Sequence, residues 1–459
     1  MDKICALILA AGKGTRMHSP TPKVLHKLLG EPMLGLVHHN LEPLFGQNIY
    51  VLCGHGSQAV QKAYPAYQFI LQTEQLGTAH AVQTALPKIV EAGFKQILVI
   101  NGDAPLISTE LIEQFIHKAA STDVAFATVK LDDPQAYGRV VRQGEKLVAI
   151  VEAKNYDQAK YGSPSGEINT GLYLLKTEVV SKLLPQIAKN ELSGEYYLTD
   201  LVAIALAANY NVQAIESGSD AHLLGINTPK ELLELEEILR AEIVANLISH
   251  GALLHSADLL RISPQSTVEP GAEITGPCEI YGASYISSGA EIESHCVLKD
   301  STVAGGALIH SFSHLDHANV GQDCLVGPYA RLRPGAILEE ASHVGNFVEL
   351  KKTRLGQGAK ANHLTYLGDA KIGAHTNIGA GTITCNYDGF NKFPTEIGEN
   401  AFIGSNTALV APVKVGANAL IGAGSTITHD VPESNLAISR SKQKNYPHKP
   451  FPREPETKD

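Results

Sequence analysis

The chain has 459 residues, a formal net charge of -10 and a hydrophobic content of 44%. This length favours more than one domain, and the acidic balance argues against general nucleic-acid binding. No apolar run is long enough to cross a membrane, the first residues lack a secretory pattern, and the 6 cysteines include no CxxC pair. Composition therefore predicts a multidomain cytoplasmic protein with free thiols that binds neither nucleic acid nor membrane.

The first half of the chain, residues 4–227, alternates strand-like and helix-like segments, which predicts an α/β layered domain. A buried strand is predicted at residues 6–10, and a loop containing Gly12, Gly14 and Arg16 follows it. Glycines let backbone amides approach a phosphate or a base, and the loop adds cations beside them. The loop matches neither a Walker motif nor GxGxxG, so an ordinary glycine turn stays an alternative.

Three polar positions further along admit two interpretations each. Lys23 is either a third cation near the loop or a solvated surface residue. Thr78 could read a base edge or cap the helix that follows it. Asp103 stands at the carboxyl end of a predicted parallel strand, where such sheets bind ligands, and carboxylates suit Mg2+ that bridges phosphates. A helix N-cap ahead of Pro105 is the alternative for Asp103.

A six-residue period organises the second half of the chain. After a predicted connecting helix at residues 229–248, branched apolar residues recur every six positions from Ile262 to about Pro432. This period predicts short edges with one inward residue each, which is typical of a β-helix with eighteen residues per coil. Four edges are one residue short, and residues 385–394 interrupt the pattern as a predicted loop. We therefore divide the chain as follows: 1–227, 228–250, 251–438 and a tail, 439–459.

The eighteen-residue coil places two cations in one column. Arg333 and Lys351 each follow an inward leucine, and three full edges separate them. They should therefore stack about 4.8 Å apart in adjacent coils. Two cations this close repel each other unless an anion lies between them, and a sugar phosphate would serve. Side chains that splay into solvent are the alternative.

A histidine and a column of small residues form a second feature of the β-helix. If the loop at residues 385–394 leaves the register intact, Ala380, Ser405 and Ala423 lie in successive coils above His363. Small residues leave a groove of roughly 14 Å, which suits an extended arm such as pantetheine. Histidine is apt as a general base for an amine acceptor at neutral pH. The column predicts an acetyl-transfer site.

Several motifs resemble those of the sugar-nucleotide pyrophosphorylase family. In chain order they are LAAGKGTRM, PKVLH, EQLGT, NGD, YGR, VE, EINTG and GEYYLTD. With the β-helix behind them, residues 4–440 resemble the bifunctional bacterial N-acetylglucosamine-1-phosphate uridyltransferase / glucosamine-1-phosphate N-acetyltransferase family. The resemblance implies a Rossmann-like nucleotidyltransferase domain followed by a left-handed parallel β-helix of hexapeptide repeats. It also implies a homotrimer whose acetyltransferase sites are shared between subunits.

The resemblance implies a uridyltransferase site for UTP and N-acetylglucosamine-1-phosphate in the first domain. Its substrate-binding residues would be Leu9, Ala10, Ala11, Gly12, Arg16, Lys23, Gln72, Gly77, Thr78, Asn101, Gly102, Asp103, Gly138, Glu152, Asn169 and Asn227. Asp103 and Asn227 would hold Mg2+. The sugar would face Gly138, Glu152 and Asn169.

The resemblance also implies an acetyltransferase site for glucosamine-1-phosphate and acetyl-CoA in the β-helix. His363 would be the catalytic base. The substrate-contacting residues would be Arg333, Lys351, Tyr366, Asn377, Ala380, Asn386, Tyr387, Ser405, Ala423 and Arg440. Ala79 and Asn362 depart from the pattern, because glycine is common at both positions.

Other classes of protein remain open at this stage. The β-helix could be a structural or regulatory part of a single-function sugar-1-phosphate nucleotidyltransferase, or the whole chain a binding scaffold. A thymidylyl or guanylyl enzyme is the nearest competitor for the first domain. A metal site in the β-helix would draw on its histidines, and zinc usually takes three protein ligands. The candidates are His310, His314, His317, His343 and His375.

Overall fold

The computed structural model describes residues 3–134, 136–217 and 220–448. The chain divides into two compact units, Met1–Glu242 and Ile243–Asp459. The boundary falls within a helix, Pro229–Ser249, that the sequence predicts at residues 229–248. No helix in the described ranges is long and apolar enough to cross a membrane.

The first unit is built from strands and helices that alternate along the chain. Its strands, β1 to β11, are Ile4–Ala10, Lys27–Leu28, Glu31–Pro32, Ile49–Cys53, Gln68–Leu71, Gln96–Asn101, Val124–Lys130, Arg139–Gln143, Lys146–Val151, Glu167–Lys176 and Val212–Glu216. Its helices, α1 to α8, are Met33–Phe45, Ser57–Ala63, Thr78–Glu91, Thr109–Lys118, Gln158–Tyr161, Thr177–Leu183, Asp200–Ala207 and Asp220–Leu223. The helix Pro229–Ser249 is α9.

A mixed sheet forms the centre of this unit, with strand order β11-β7-β10-β6-β1-β4-β5. Strand β1 pairs in parallel with β4 and β6, whereas β10 runs antiparallel to β6 and β7. Nearly every residue of β1 is buried, as expected for a parallel strand covered on both faces. The loops after β1 and β6 consequently meet at the same edge of the sheet.

The second unit is a parallel β-helix with three faces, and each coil contributes one strand to each face. The first face contains Leu253–His255, Glu273–Thr275, Glu291–Ile292, Leu308–Ile309, Leu325–Val326, His343–Asn346, Lys360–His363, Asn377–Ile378, Phe402–Ile403, Leu420–Ile421 and Leu436–Ala437. The second contains Leu260–Ile262, Cys278–Tyr281, Val297–Lys299, His314–Asp316, Arg331–Leu332, Glu349–Lys351, Tyr366–Gly368, Ile383–Cys385, Ala408–Val410 and Thr426–Ile427. The third contains Thr267–Val268, Tyr285–Ile286, Thr302–Val303, Asn319–Val320, Ile337–Leu338, Arg354–Leu355, Ala370–Ile372, Thr395–Ile397 and Val413–Val415.

The inward column of the β-helix follows the six-residue period. Ile280, Leu298 and Leu315 pair in successive coils, and each is fully buried. The predicted α/β domain followed by a β-helix of hexapeptide repeats is therefore confirmed.

All four short edges lie at the same corner, between the second and third faces. Each turns through one residue with a left-handed backbone, namely Asp300, His317, Lys352 and Asp369, whose φ values are 46°, 48°, 46° and 50°. A left-handed residue permits a tight change of chain direction at such a corner. The loop at residues 385–394 leaves the β-helix at this corner as well, and an antiparallel bridge joins Tyr387 to Lys392 within it.

Candidate functional site

The first cluster of predicted site residues lies at the edge of the sheet where β1 and β6 end. A cavity of about 550 Å³ opens there. Its lining includes Leu9, Ala10, Ala11, Gly12, Arg16, Lys23, Gln72, Gly77, Thr78, Asn101, Asp103 and Asn227. An adjoining cavity adds Gly138, Glu152 and Asn169. Gly102 lines neither cavity; it is buried, and its N–H donates to the Leu9 carbonyl at 2.9 Å.

The loop after β1 is shaped by one glycine in particular. Gly14 has a φ of 61°, and a Cβ on it would lie 2.6 Å from Cβ of Lys23. Only glycine therefore lets the loop pass over the Lys23 side chain without strain or overlap. Gly12 is exposed, and a Cβ added to it would meet no described atom within 4 Å, so its backbone is open to the cavity.

Lys23 is part of a cluster of polar side chains rather than a solvated cation. Its side chain is 13% exposed, and Nζ contacts Oδ2 of Asp103 and, at 2.8 Å, Oδ1 of Asn227. Arg16 Nη2 also donates to Oδ1 of Asn227 at 2.8 Å. Asp103 does not cap a helix, because α4 begins at Thr109 and its N-cap is Ser108. The helix-cap interpretation of Asp103 is therefore wrong.

The oxygens of this cluster fit a hard divalent cation. Oδ1 of Asp103 is buried and has no hydrogen-bond partner among the described residues. It faces Gly225, where a Cβ would lie 3.0 Å away. Within residues 3–134, 136–217 and 220–448, no three His, Cys, Asp or Glu side chains form a metal cluster. A Mg2+ ion held by Asp103 and Asn227 would take its other ligands from phosphates and water, as this ion commonly does. The histidines of the β-helix form no zinc site within those residues.

Thr78 opens helix α3 without capping it by its own side chain. The N-cap is Gly77, whose φ is 105° and whose Cβ would meet the Tyr196 carbonyl at 2.4 Å. The Thr78 hydroxyl instead accepts from the Leu198 N–H at 2.9 Å. The capping interpretation of Thr78 is therefore wrong, and glycine is required where the segment around Tyr196 crosses the loop.

A partly buried carboxyl group lies in the adjoining cavity. Burial raises the pKa of Glu152, and nearby Asp200 and Glu195 raise it further, whereas the hydrogen bond from Thr199 and the charge of Arg139 lower it. The Thr199 hydroxyl donates to Oε1 at 2.9 Å. Sequence reasoning places Glu152 against a sugar but does not single out Thr199. The segment GEYYLTD, which contains Thr199, is the signal that could have found it.

The second set of predicted site residues lies in the β-helix, at the ends of its first and second faces. His363 ends the strand Lys360–His363 and is exposed. Pairing of Ala361 with Ile378, of Ile378 with Ile403, and of Ile403 with Ile421 continues across the interrupting loop. The residues two positions further on are then in register, and they are His363, Ala380, Ser405 and Ala423. The predicted register is thus intact.

Arg333 and Lys351 occupy equivalent positions in adjacent coils at the end of the second face, a different corner from that of His363. Each of them has a charged neighbour. The Arg333 N–H donates to Leu350 at 2.8 Å, and its guanidinium pairs with Glu349 at 2.8 Å. The neighbouring ammonium of Lys392 lowers the pKa of Lys351. Sequence reasoning missed both partners. Glu349 could have been found from the coil spacing, because it lies one coil above Arg331 and beside Arg333.

The remaining predicted residues lie above and beside this pair. Tyr366 pairs with Glu349 in the next coil, and a Cβ on Gly368 would lie 2.3 Å from its hydroxyl. Asn386 is buried, and its Nδ2 donates to Asp369 at 2.5 Å. The other three lie on the first face, in the loop and after the last strand. Asn377 pairs with Lys360 below it, Tyr387 is 60% exposed in the loop, and Arg440 donates to the Ala423 carbonyl.

Comparisons with known proteins match both units. Residues 6–190 match a MobA-like NTP transferase domain, residues 262–356 a GMPPB C-terminal domain, and residues 394–429 a bacterial transferase hexapeptide family of six repeats. A bifunctional protein GlmU of Nitratidesulfovibrio vulgaris (strain DSM 19637 / Miyazaki F) is 55% identical over 444 residues, 96% of this chain and 98% of that protein. One from Lawsonia intracellularis is 53% identical over 443 residues, 96% of this chain and 97% of that protein.

These matches define the chain as a transferase with an NTP transferase domain followed by a left-handed β-helix of hexapeptide repeats. More distant relatives agree, since a bifunctional protein GlmU of Pseudomonas putida is 44% identical over 445 residues, 96% of each chain. The chain belongs to the GlmU family of bifunctional proteins.

Proposed function

We propose that this protein acetylates glucosamine-1-phosphate with acetyl-CoA and joins the product, N-acetylglucosamine-1-phosphate, to UTP. The second reaction yields UDP-N-acetylglucosamine and pyrophosphate. The observation that carries the proposal is that one chain contains both a cation–carboxylate cluster beside a nucleotide-sized cavity and a histidine in register with a column of small residues. Family membership supports both halves.

In the first unit, the sugar phosphate oxygen attacks the α-phosphorus of UTP and pyrophosphate leaves. Arg16 and Lys23 offset the negative charge that builds up on the phosphates, because little other work falls to the protein in phosphoryl transfer. Asp103 and Asn227 would hold Mg2+, which supplies further charge compensation when bound. The loop from Leu9 to Gly12 holds the nucleotide, with Gln72, Gly77 and Thr78. The sugar lies against Gly138, Glu152 and Asn169.

In the second unit, His363 takes a proton from the amine of glucosamine-1-phosphate. The amine nitrogen attacks the thioester carbonyl, a C–N bond forms, the C–S bond breaks, and coenzyme A leaves as the thiol. Arg333 and Lys351 bind the sugar phosphate, and the pantetheine arm runs along Ala380, Ser405 and Ala423. The other contacts come from Tyr366, Asn377, Asn386, Tyr387 and Arg440.

The assembly we propose is a homotrimer with acetyltransferase sites shared between subunits, acting in the cytoplasm. The exposed position of His363 supports a shared site, because a base at an open corner needs further walls to exclude water. A β-helix with a purely structural role is not favoured, because the register aligns a histidine with a column of small residues at one corner and stacks two cations at another.

Release of free thiol tests the acetyltransferase half. We expect the pure protein to release coenzyme A from acetyl-CoA only when glucosamine-1-phosphate is present, with no need for UTP. His363→Ala should slow this reaction by roughly 10²–10⁴-fold, the usual contribution of a general base. Asp103→Ala, changed in the other unit, is the matched control and should release thiol at the wild-type rate. Wild-type protein that releases no thiol would leave the β-helix as a scaffold.

A further inference from the structure

Hydrogen bonds hold the Lys23 ammonium group at the oxygens of the proposed metal site. Its Nζ touches Oδ2 of Asp103 and lies 2.8 Å from Oδ1 of Asn227. The Asn227 amide is fixed in this orientation, because its Nδ2 donates to the Gly225 carbonyl at 3.1 Å and its backbone N–H donates to Glu231 Oε2 at 2.6 Å. These neighbours therefore keep the Asn227 oxygen pointed at the cations.

The ammonium group occupies space that a divalent cation would need. Ca²⁺ and Mg²⁺ ligands are oxygens within about 2.0–2.6 Å of the ion, so a metal bound by Asp103 and Asn227 must lie between the two side chains. Lys23 already bridges these same side chains. An ammonium and a dication at one place repel strongly in a cavity partly shielded from water. Oδ1 of Asp103 is open, but a metal that also takes the Asn227 oxygen must displace the cations that now donate to that oxygen, Lys23 and Arg16.

The loop beside Lys23 offers its ammonium group a second position. The Lys23 stem lies under the loop at Gly14, and Lys23 lines the cavity together with the backbone of residues 10–14. Lysine carries its charge on a flexible stem with three donors, so Nζ can move while the stem stays packed. A phosphate at that loop would accept the hydrogen bonds that Asp103 and Asn227 give up.

We propose that Lys23 is a resident cation that holds the metal site closed until nucleotide arrives. When metal and nucleotide bind together, Nζ leaves Asp103 and Asn227 for the phosphates, and the divalent cation takes the freed oxygens. The inference rests on the proposed function for the identity of the nucleotide. Lys23 is then a positioning residue, and its loss should raise the affinity for the metal and lower the affinity for the nucleotide.

Two consequences distinguish this exchange from simple electrostatic attraction. Metal alone binds weakly to the wild-type protein, because it must first break the charge-assisted contacts of Lys23. Metal and nucleotide each favour the binding of the other, because both draw on the same step, the release of Lys23 from Asp103 and Asn227. Without Lys23 this mutual dependence falls.

Binding of Mn²⁺ alone, followed by the electron paramagnetic resonance signal of the free ion, tests the proposal on the full-length protein. We expect Lys23→Met to bind Mn²⁺ at least about tenfold more tightly than wild type, since a hydrogen bond to a charged group is worth one to two factors of ten. UTP affinity of the same variant should fall. Lys23→Gln, which keeps a polar end, serves as a second variant if Lys23→Met fails to fold.

Lys13→Met is the matched control, because Lys13 lines the same cavity but is not among the described contacts of Asp103 or Asn227. It removes one positive charge while leaving the bridge in place, so its Mn²⁺ affinity should change little at physiological salt. Equal or weaker Mn²⁺ binding in Lys23→Met would overturn the exchange. Asp103→Ala separates the proposed metal site from the proposed exchange. If this variant, in the presence of UTP, loses the Mn²⁺ binding that the wild-type protein shows, the metal site stands whatever the result for Lys23→Met.

Discussion

The surroundings of Glu152 favour the protonated form of its carboxyl group. Its carboxyl is enclosed beside Thr199, and burial is the largest cause of its raised pKa, with Asp200 and Glu195 adding negative charge nearby. Thr199 provides one hydrogen bond that partly offsets this. A group of this kind costs stability when ionised, and such positions are often found where a ligand is bound.

Replacing this carboxyl tests that cost. The folded protein holds the Glu152 proton more tightly than the unfolded chain does, so the favourable contribution exists at low pH and is lost as pH rises through the raised pKa. We therefore expect Glu152→Gln without substrates to melt at a higher temperature than wild type at pH 7.5. The difference should shrink as the pH falls below the ordinary carboxyl range. A gain that is independent of pH would contradict this explanation.

The β-helix shows at the scale of one element why six residues suffice to specify an edge. Each coil buries one branched residue per face, and glycines at the corners let the next coil approach. A Cβ on Gly379, for example, would lie 2.6 Å from the Ile403 carbonyl oxygen. The stack is therefore stabilised by close packing between neighbouring coils, as in other repeat proteins.

A cavity within one coil should consequently weaken the β-helix measurably. Leu298 is fully buried between Ile280 and Leu315, so Leu298→Ala should lower the free energy of unfolding by about 2–5 kcal/mol. Leu253, which is 53% exposed, is the control, and Leu253→Ala should cost less than about 1 kcal/mol. Urea unfolding at one fixed protein concentration measures both. Equal losses would show that the inward column is not what holds the coils together.

The same element shows how far the sequence can predict the site. Register is set by the period, so the column of Ala380, Ser405 and Ala423 above His363 follows from residue spacing alone. The charged neighbour of Lys351 does not follow from spacing. Lys392 reaches Lys351 from a loop that leaves the repeat, and no periodicity describes the path of such a loop.

In the first unit, prediction of the site from the sequence is limited for a different reason. Lys23 and Asp103 are 80 residues apart, and only the pairing of β1 with β6 brings their loops to one edge. Strand ends can be predicted as ligand-binding positions, but the residue type at each end leaves two interpretations open. The structure decides between them because Thr78 and Asp103 bond to partners that a helix cap would not use.

At the scale of the whole molecule, each unit has a core of its own. One cluster of buried residues runs through the β-helix from Val244 to Val431, and separate clusters cover the two faces of the sheet in the first unit. The proposed reactions also share no residue, since one set of groups acts on phosphates and the other on a thioester. We therefore expect the two active sites to work independently, with N-acetylglucosamine-1-phosphate passing between them through solution.

Mixing two inactive variants tests this central claim most directly. UDP-N-acetylglucosamine is measured after glucosamine-1-phosphate, acetyl-CoA, UTP and Mg2+ are supplied to Asp103→Ala, to His363→Ala, or to both together. Each variant alone should form almost no final product, and the mixture should restore it, because each protein carries the site that the other lacks. A mixture as inactive as its components would contradict the assignment of two separable active sites.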